Sequence, residues 1–366
     1  MRKSIKFILL FIMIVLVAFV LLDGTFLYES YLNKNDLYED SSQVMTEVQF
    51  NLIKSGISAA STHNMQPWKI TINDNQSFSL SMDYDKKLPV VDRNNTQLLI
   101  SQGTFIGNVI NNANRANIEL TIDYHPLNLS NDKPLIATFN IETLNDDKYD
   151  IKTQSTYTPK SESEIDIIKV VSDIQSKTDL TIEYHDSKQN RIKDLLRESN
   201  KIESENEDAM KELLSVFRFT RWDKNKYKYG LSLNTLNPIF EPFVNPIMNL
   251  TKDWKSFGQS GISVFEDRLS HEVGYIFITK KNPEYEDYIK TGEIVSKLSN
   301  NLSGYRVQPA VQILEELPQM ESLRNMIHNE FSQDKQILLI IGISPFEDNH
   351  YDSIRHKVDD LINIKK

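Results

Sequence analysis

The chain contains no cysteine. This absence excludes disulfide bonds, thiolate nucleophiles, iron–sulfur clusters and thiolate zinc sites, and it is compatible with a reducing or an oxidising compartment. A surplus of positive charge is also missing, because the formal net charge of the 366 residues is −10. Nucleic-acid binding requires a basic face that neutralises phosphates, so no nucleic-acid partner is expected.

Several catalytic motifs are absent as well. The chain has no phosphate-binding loop, no H-E-x-x-H helix and no G-x-S-x-G nucleophile turn. Its seven histidines are scattered, and no spacing of histidine and carboxylate residues indicates a metal site. The sequence therefore predicts no bound metal.

What is present is typical of a globular protein with a membrane segment. The 40% hydrophobic and 25% charged residues are ordinary values, and the length suits about two domain-sized units. Residues 7–22 form an unbroken apolar run, which with its flanks is long enough to span a bilayer. A cleaved secretory signal peptide is the alternative, but its apolar region is usually shorter and ends at a small-residue cleavage site, which is missing here.

Charge around the apolar run predicts a topology. Basic residues precede the run and acidic residues follow it, so we expect the N-terminus in the cytoplasm. The expectation is a single-pass protein of the cell membrane, with a transmembrane signal-anchor at 1–23, a linker at 24–40 and an extracytoplasmic body.

Periodicity divides the body into two α+β halves, at 41–160 and 161–366. Each half contains helices with apolar residues three and four apart and strands with alternating apolar residues. Asp40 and Gln43 resemble a capping box, which predicts that a helix begins there. The stretch 227–253 is rich in asparagine and proline, and its weak periodicity predicts an irregular lid or arm.

Two short polar stretches are candidates for a binding site. The first, STHNMQPW, lies between a predicted helix and a predicted strand, and is either a polar connection or the wall of a site. The second, SIRHK, follows the last apolar strand. Arginine and lysine there suit a phosphate group, but an exposed basic tail that begins a C-terminal helix is the simpler interpretation from spacing alone.

Four blocks of the sequence resemble nitroreductase-family flavoproteins, in the branch that carries two nitroreductase-like halves in one chain. SAASTHNMQPWKI resembles the family signature APSxHNxQPW, and SIRHKVDDLI resembles the closing motif SPRRPVDEVL. MDYDKKLPVVDRNNTQLLISQGTFIGNVINNA and DYIKTGEIVSKLSNNLSGYRVQPAVQILEE resemble two blocks between them. The blocks occur in the family's order and cover most of residues 41–366.

The resemblance implies an α+β fold of two pseudo-symmetric halves, each with an antiparallel-type sheet and helices. The two halves of one chain would then replace the two subunits of the family's usual dimer. The protein would be a monomer or a weak oligomer and would bind one flavin mononucleotide (FMN) per chain. The residues implied to contact FMN are Ser61, His63, Asn64 and Gln66 along the flavin, Val307 and Gln308 near its reactive edge, and Ser353, Arg355 and Lys357 at its phosphate.

The resemblance further implies two-electron transfer from NAD(P)H to a nitroaromatic, a quinone or a similar acceptor. The cofactor carries this chemistry, so no catalytic side chain is assigned. Two alternatives remain: a protein that binds or sequesters FMN without turnover, and a flavin-free scaffold. They are favoured by the absence of the family's arginine-rich segment, since only Lys152 is basic in the corresponding stretch. Ala60 and His356 also depart from the pattern, where they replace a proline and an arginine.

Overall fold

The protein is a mixed α+β chain with two sheets and an N-terminal apolar helix. The computed structural model describes residues 2–32, 36–128, 133–143, 166–188, 190–232, 239–332, 334–345 and 353–364. The helices are α1 (Arg2–Asp23), α2 (Tyr38–Ser41), α3 (Glu47–Ile57), α4 (Thr96–Arg115), α5 (Ile167–Gln175), α6 (Asn190–Glu205), α7 (Glu207–Val216), α8 (Arg221–Tyr227), α9 (Glu241–Thr251), α10 (Trp254–His271), α11 (Tyr285–Asn301) and α12 (Pro318–Ile327). The strands are β1 (Trp68–Ile72), β2 (Ser77–Met82), β3 (Glu119–Tyr124), β4 (Leu135–Thr143), β5 (Thr181–Asp186), β6 (Gly274–Lys280), β7 (Tyr305–Pro309), β8 (Gln336–Pro345) and β9 (Ile362–Ile364).

The first sheet has the strand order β3-β4-β2-β1-β9. Its neighbours are antiparallel except for β1 and β9, which run parallel with Ile70 opposite Ile362. Trp68 and Ile70 are fully buried, as their alternation along the chain predicts. Strand β9 therefore completes a sheet that consists otherwise of strands between residues 68 and 143.

The second sheet has the order β5-β6-β8-β7, and all its neighbours are antiparallel. Its central strands β6 and β8 are buried along nearly their whole length. Their continuous apolar sequences are typical of strands covered on both faces.

Helices α4 and α11 join the two halves through an unusually close contact. A Cβ atom at Gly103 would overlap the Ile289 carbonyl oxygen and lie 2.9 Å from the Cα atom of Gly292. Beside this contact, the Ser296 hydroxyl donates a hydrogen bond to Asn108 Oδ1 at 2.6 Å. The glycines thus allow the two backbones to approach each other directly.

Helix α1 is long and apolar enough to cross a membrane, over Ile5–Asp23, and of this stretch only Asp23 at its end is buried. The helix fits either a membrane anchor or a signal sequence. Its C-terminal end contacts α9, where the rings of Phe19 and Phe243 meet edge to face at 5.7 Å. The Trp222 indole also donates to the Leu21 carbonyl oxygen at 2.9 Å.

Three local expectations were wrong. The helix predicted to begin at Asp40 is only the single turn α2, and the capping box is instead formed by Thr46 and Gln49 at the start of α3. Within the stretch 227–253, residues 241–251 form helix α9, where Pro242 suits the first turn and Pro246 is accommodated inside the helix, while residues 233–238 lie outside the described residues. No C-terminal helix follows SIRHK in the described residues, where a 3₁₀ turn leads into β9.

Candidate functional site

Residues 61–68, which we call the signature, have a strained backbone; residues 353–362 are called the closing motif. After α3, residues Thr62–Asn64 form a single 3₁₀ turn, and the chain then enters β1. His63, Asn64 and Gln66 have φ angles of 46°, 55° and 51°. Left-handed conformations of residues other than glycine are uncommon and occur preferentially at functional sites. Ser61 supports the turn, because its hydroxyl oxygen accepts the Gln66 backbone N–H at 3.0 Å.

Gln66 joins the signature to the closing motif. Its side chain is fully buried, and its Nε2 donates to the Ile354 carbonyl oxygen at 3.3 Å and to that of Lys228 at 3.0 Å. Its Oε1 accepts the His356 backbone N–H at 3.0 Å. The amide group is therefore occupied by three protein partners, two of which lie about 290 residues away in sequence.

Asn64 makes a parallel set of contacts. Its Nδ2 donates to the Gly230 carbonyl oxygen at 2.9 Å and to that of Ile354 at 2.8 Å, and its backbone oxygen accepts the Gly230 N–H at 2.9 Å. Its Oδ1 is buried and has no hydrogen-bond partner among the described residues. We call residues 228–230 the clasp, because they bond both to the signature and to the closing motif.

Further contacts hold the clasp in place. Lys228 Nζ lies 2.8 Å from both carboxylate oxygens of Asp360, and the rings of Tyr229 and His356 stack with centroids 5.9 Å apart. Burial opposes ionisation of Asp360, but the nearby His356 ring and hydrogen bonds from Lys228 Nζ and the Lys357 backbone N–H hold its pKa well below its usual range. Arg218, itself buried, donates to the Tyr229 carbonyl oxygen at 3.1 Å.

Arg355 is half-buried and has no counter-charge among the described residues. Its backbone N–H donates to the Tyr31 carbonyl oxygen at 2.7 Å, and its guanidinium donates to the Ile354 carbonyl oxygen at 3.1 Å. Within the described part of the chain, no carboxylate forms an ion pair with it. Burial lowers the pKa of Arg355 to about 10. A guanidinium in this position favours an anionic ligand.

The other residues predicted to contact FMN are exposed, half-buried or part of the second sheet. Ser353 is exposed, and Lys357 is half-buried with its backbone N–H bonded to Asp360 Oδ2 at 2.9 Å. Val307 and Gln308 are half-buried in β7 of the second sheet, where the Gln308 carbonyl oxygen accepts Arg268 Nη2 at 2.8 Å. The contacts thus bring Asn64 and Gln66 together with Ile354 and His356, whereas Val307 and Gln308 bond to β8 and α10.

A second polar group adjoins the signature at His63. A ring nitrogen of His63 and carboxylate oxygens of Glu203 and Glu315 lie within 4.8 Å of one another. Glu203 lies in the last turn of α6, and Glu315 follows the 3₁₀ turn Val311–Leu314 that continues from β7. Both carboxylates are buried, and neither oxygen of Glu315 has a hydrogen-bond partner among the described residues.

Burial controls the protonation of this group. It raises the pKa of Glu203, and burial together with the charge of Glu203 raises the pKa of Glu315 well above its usual range. Burial also lowers the pKa of His63 to about 4, so its imidazole is neutral at pH 7. Sequence reasoning missed the two glutamates because the three residues are far apart in the chain and only tertiary packing brings them together.

A cleft of about 580 Å³ adjoins the signature at Met65. It has the volume of a small-molecule site. Its lining carries both signs of charge, including Lys87, Glu212 and Arg218, together with the ring of Tyr229. The clasp therefore lies between the closing motif and an open cleft. Comparison of the chain with protein-family models and with curated proteins gave no match.

Proposed function

We propose that the protein is a membrane-anchored, nitroreductase-like oxidoreductase that binds FMN and passes two electrons from NAD(P)H to a quinone, a nitroaromatic or a similar acceptor. The observation that carries the proposal is the half-buried guanidinium of Arg355, which has no carboxylate partner among the described residues. Its backbone neighbours Ile354 and His356 are bonded to the signature.

The architecture supports a two-half organisation. Each sheet belongs to one half, the helices α4 and α11 of the two halves meet at Gly103 and Gly292, and β9 crosses back to the first sheet. A contact between two such helices within one chain is what the proposed intrachain pseudo-dimer requires.

The fit to FMN differs between the two ends of the cofactor. Arg355 suits its phosphate, and Ser353 and Lys357 lie within two residues along the chain. On the ring side, Gln66 and the Nδ2 of Asn64 already bond to protein backbone, so we assign them to positioning the closing motif. When bound, FMN supplies the hydride chemistry.

The clasp favours a second candidate, in which FMN is retained without turnover. Residues 228–230 bond to Asn64, Gln66 and Asp360 at once. A segment held at three points opens less readily to a nicotinamide or an acceptor. In this candidate the clasp covers the bound cofactor permanently.

The membrane location rests on α1 and on the surface beside it. Near the end of α1, residues Ile239, Phe240, Ile247 and Leu250 in and before α9 are at least half exposed. An exposed apolar face next to a spanning helix suits a helix that lies in the bilayer interface. We propose that α1 is an uncleaved anchor with its N-terminus in the cytoplasm, and that α9 lies on the extracytoplasmic surface of the cell membrane.

The test is a visible spectrum of the full-length protein in detergent after incubation with FMN and removal of free cofactor. Retained flavin bands support both candidates, whereas their absence refutes both. Anaerobic NADH or NADPH then separates the two, because bleaching of the bands indicates reduction and persistent bands indicate sequestration. A C-terminal reporter tests the topology, and a cytoplasmic signal would contradict it.

A further inference from the structure

The group formed by His63, Glu203 and Glu315 combines three ligand-bearing side chains from three separate elements. Their nearest nitrogen and oxygen atoms lie within 4.8 Å of one another. Glu315 is fully buried, and both its carboxylate oxygens lack a hydrogen-bond partner among the described residues. Ionised carboxylates buried in this way destabilise a fold by several kcal/mol each unless a cation or a proton compensates them.

No cationic side chain forms an ion pair with either carboxylate in the described residues, and the nearby charge of Arg324 only partly offsets the burial of Glu315. Arg324 approaches Glu315, but it donates to the backbone carbonyl oxygen and not to the carboxylate. The guanidinium thereby fixes the backbone that carries Glu315 while leaving the side-chain oxygens free for another ligand. The two carboxylates would together neutralise a divalent ion, and a neutral imidazole would complete the set.

We propose that His63, Glu203 and Glu315 bind one divalent transition-metal ion, with Zn²⁺ and Mn²⁺ as the best candidates. Imidazole nitrogen and carboxylate oxygen are suitable ligands for these ions. Three protein ligands leave a fourth position for water or a small anion, which is the arrangement of catalytic rather than structural zinc sites. The ion joins the signature of the first half to α6 and to the segment after β7.

The metal site is independent of FMN. His63 is then a metal ligand and does not contact flavin, whereas Arg355 retains its phosphate role. The two sites are read out separately, because flavin is measured by its visible absorption and the metal by calorimetry and elemental analysis. A protein that binds metal but no flavin refutes the proposed function and leaves the metal site intact.

The experiment uses the full-length protein in detergent, stripped with EDTA and then titrated with Zn²⁺ and, as a spectroscopic substitute, Co²⁺. We expect one ion per chain and cobalt absorption bands in the visible range. Glu315→Gln and Glu203→Gln keep the side-chain shape but remove the charge. Because loss of a supporting contact alone lowers metal affinity about 10–100-fold, loss of a direct ligand should lower it by about 100-fold or more.

Glu293→Gln and His185→Gln are the matched controls. Glu293 is a half-buried carboxylate of α11 that accepts the Tyr124 hydroxyl at 2.8 Å, and His185 lies in β5 with its ring against Phe277 and Phe331. Both controls should bind metal like the wild type. Circular dichroism verifies that each variant is folded, and the cobalt spectrum of the wild-type protein decides the question without any variant.

The competing explanation is a proton shared between the two carboxyl groups. In that case neither ion binds saturably, EDTA leaves the unfolding midpoint unchanged, and Glu315→Gln is at least as stable as the wild type. Any of the following would overturn the metal site: no saturable binding, a stoichiometry well below one ion, or unchanged affinity in Glu315→Gln.

Discussion

Replacing Arg355 by glutamine should change the stability and the ligand affinity of the protein in opposite directions. Burial lowers the pKa of Arg355 from 12.5 to about 10, which corresponds to about 3 kcal/mol spent on keeping the guanidinium charged in the folded state. At pH 7 the side chain is charged both before and after unfolding, so the flavin-free protein bears this penalty fully.

Glutamine removes the charge and loses only the bond from the guanidinium to the neighbouring Ile354 carbonyl oxygen. We therefore expect the free energy of unfolding of flavin-free Arg355→Gln to rise by about 1–3 kcal/mol. The affinity for FMN should fall, because a hydrogen bond to a charged group contributes about 1.5–3 kcal/mol, or roughly 10–150-fold in Kd.

The assay combines chemical unfolding of the flavin-free protein with fluorescence titration of FMN, both in the same detergent. Arg197→Gln is the matched control, because Arg197 is exposed and pairs with Asp194 and Glu266 on the surface. It should alter stability by about 1 kcal/mol or less and leave FMN affinity unchanged. A destabilised Arg355→Gln with wild-type FMN affinity would refute the reasoning.

Three further predictions concern the helix contact, the clasp and the membrane face. Gly103→Ala should lower the free energy of unfolding by about 1–3 kcal/mol or more, because the added Cβ meets the backbone of α11. The control Gly261→Ala, whose added Cβ would lie 3.8 Å from its nearest neighbour, should raise the free energy of unfolding by about 0.5–1 kcal/mol. Similar effects of the two substitutions in unfolding assays would contradict the close contact. The depressed pKa of Asp360 means that its stabilisation of the clasp is present above about pH 4 and is lost as the pH falls through the folded-state value. In Asp360→Asn, amide hydrogen exchange at the clasp should no longer show this acid dependence. An unchanged pH dependence would contradict the role of Asp360 in holding the clasp. Because the chain has no cysteine, Leu250→Cys offers a single labelling site. In proteoliposomes, lipid-soluble quenchers should quench a fluorophore at this position but not one at the control position Ile168→Cys, which is also exposed. Equal quenching at the two positions would exclude a membrane-facing α9.

Local patterns in the sequence predicted most of the regular elements. The alternation of Trp68, Ile70 and Ile72 marks β1, and the continuous apolar run in β8 marks a strand covered on both faces. These signals depend on side-chain periodicity along one segment, so no knowledge of distant contacts is needed. Helix α9 escaped prediction because Pro246 within it suggests a break.

The candidate sites were harder to predict because they depend on contacts between distant segments. The polar residues of the signature were recognisable as a cluster, but their partners Lys228 and Gly230 carry no local signal, since they contact the signature through backbone groups. The carboxylates of Glu203 and Glu315 likewise belong to segments that look like ordinary helix and turn. Such contacts follow from the tertiary arrangement and not from any spacing in the chain.

The parallel pairing of β9 with β1 sets the order in which the protein can be completed. Residues 362–364 are synthesised about 290 residues after the strand β1 with which they pair. The first sheet therefore lacks this edge strand until residues 362–364 have been made, and an exported chain would have to carry them across the membrane before that edge is covered. Loss of residues 362–364 would leave β1 as an open edge, and with it a template for aggregation.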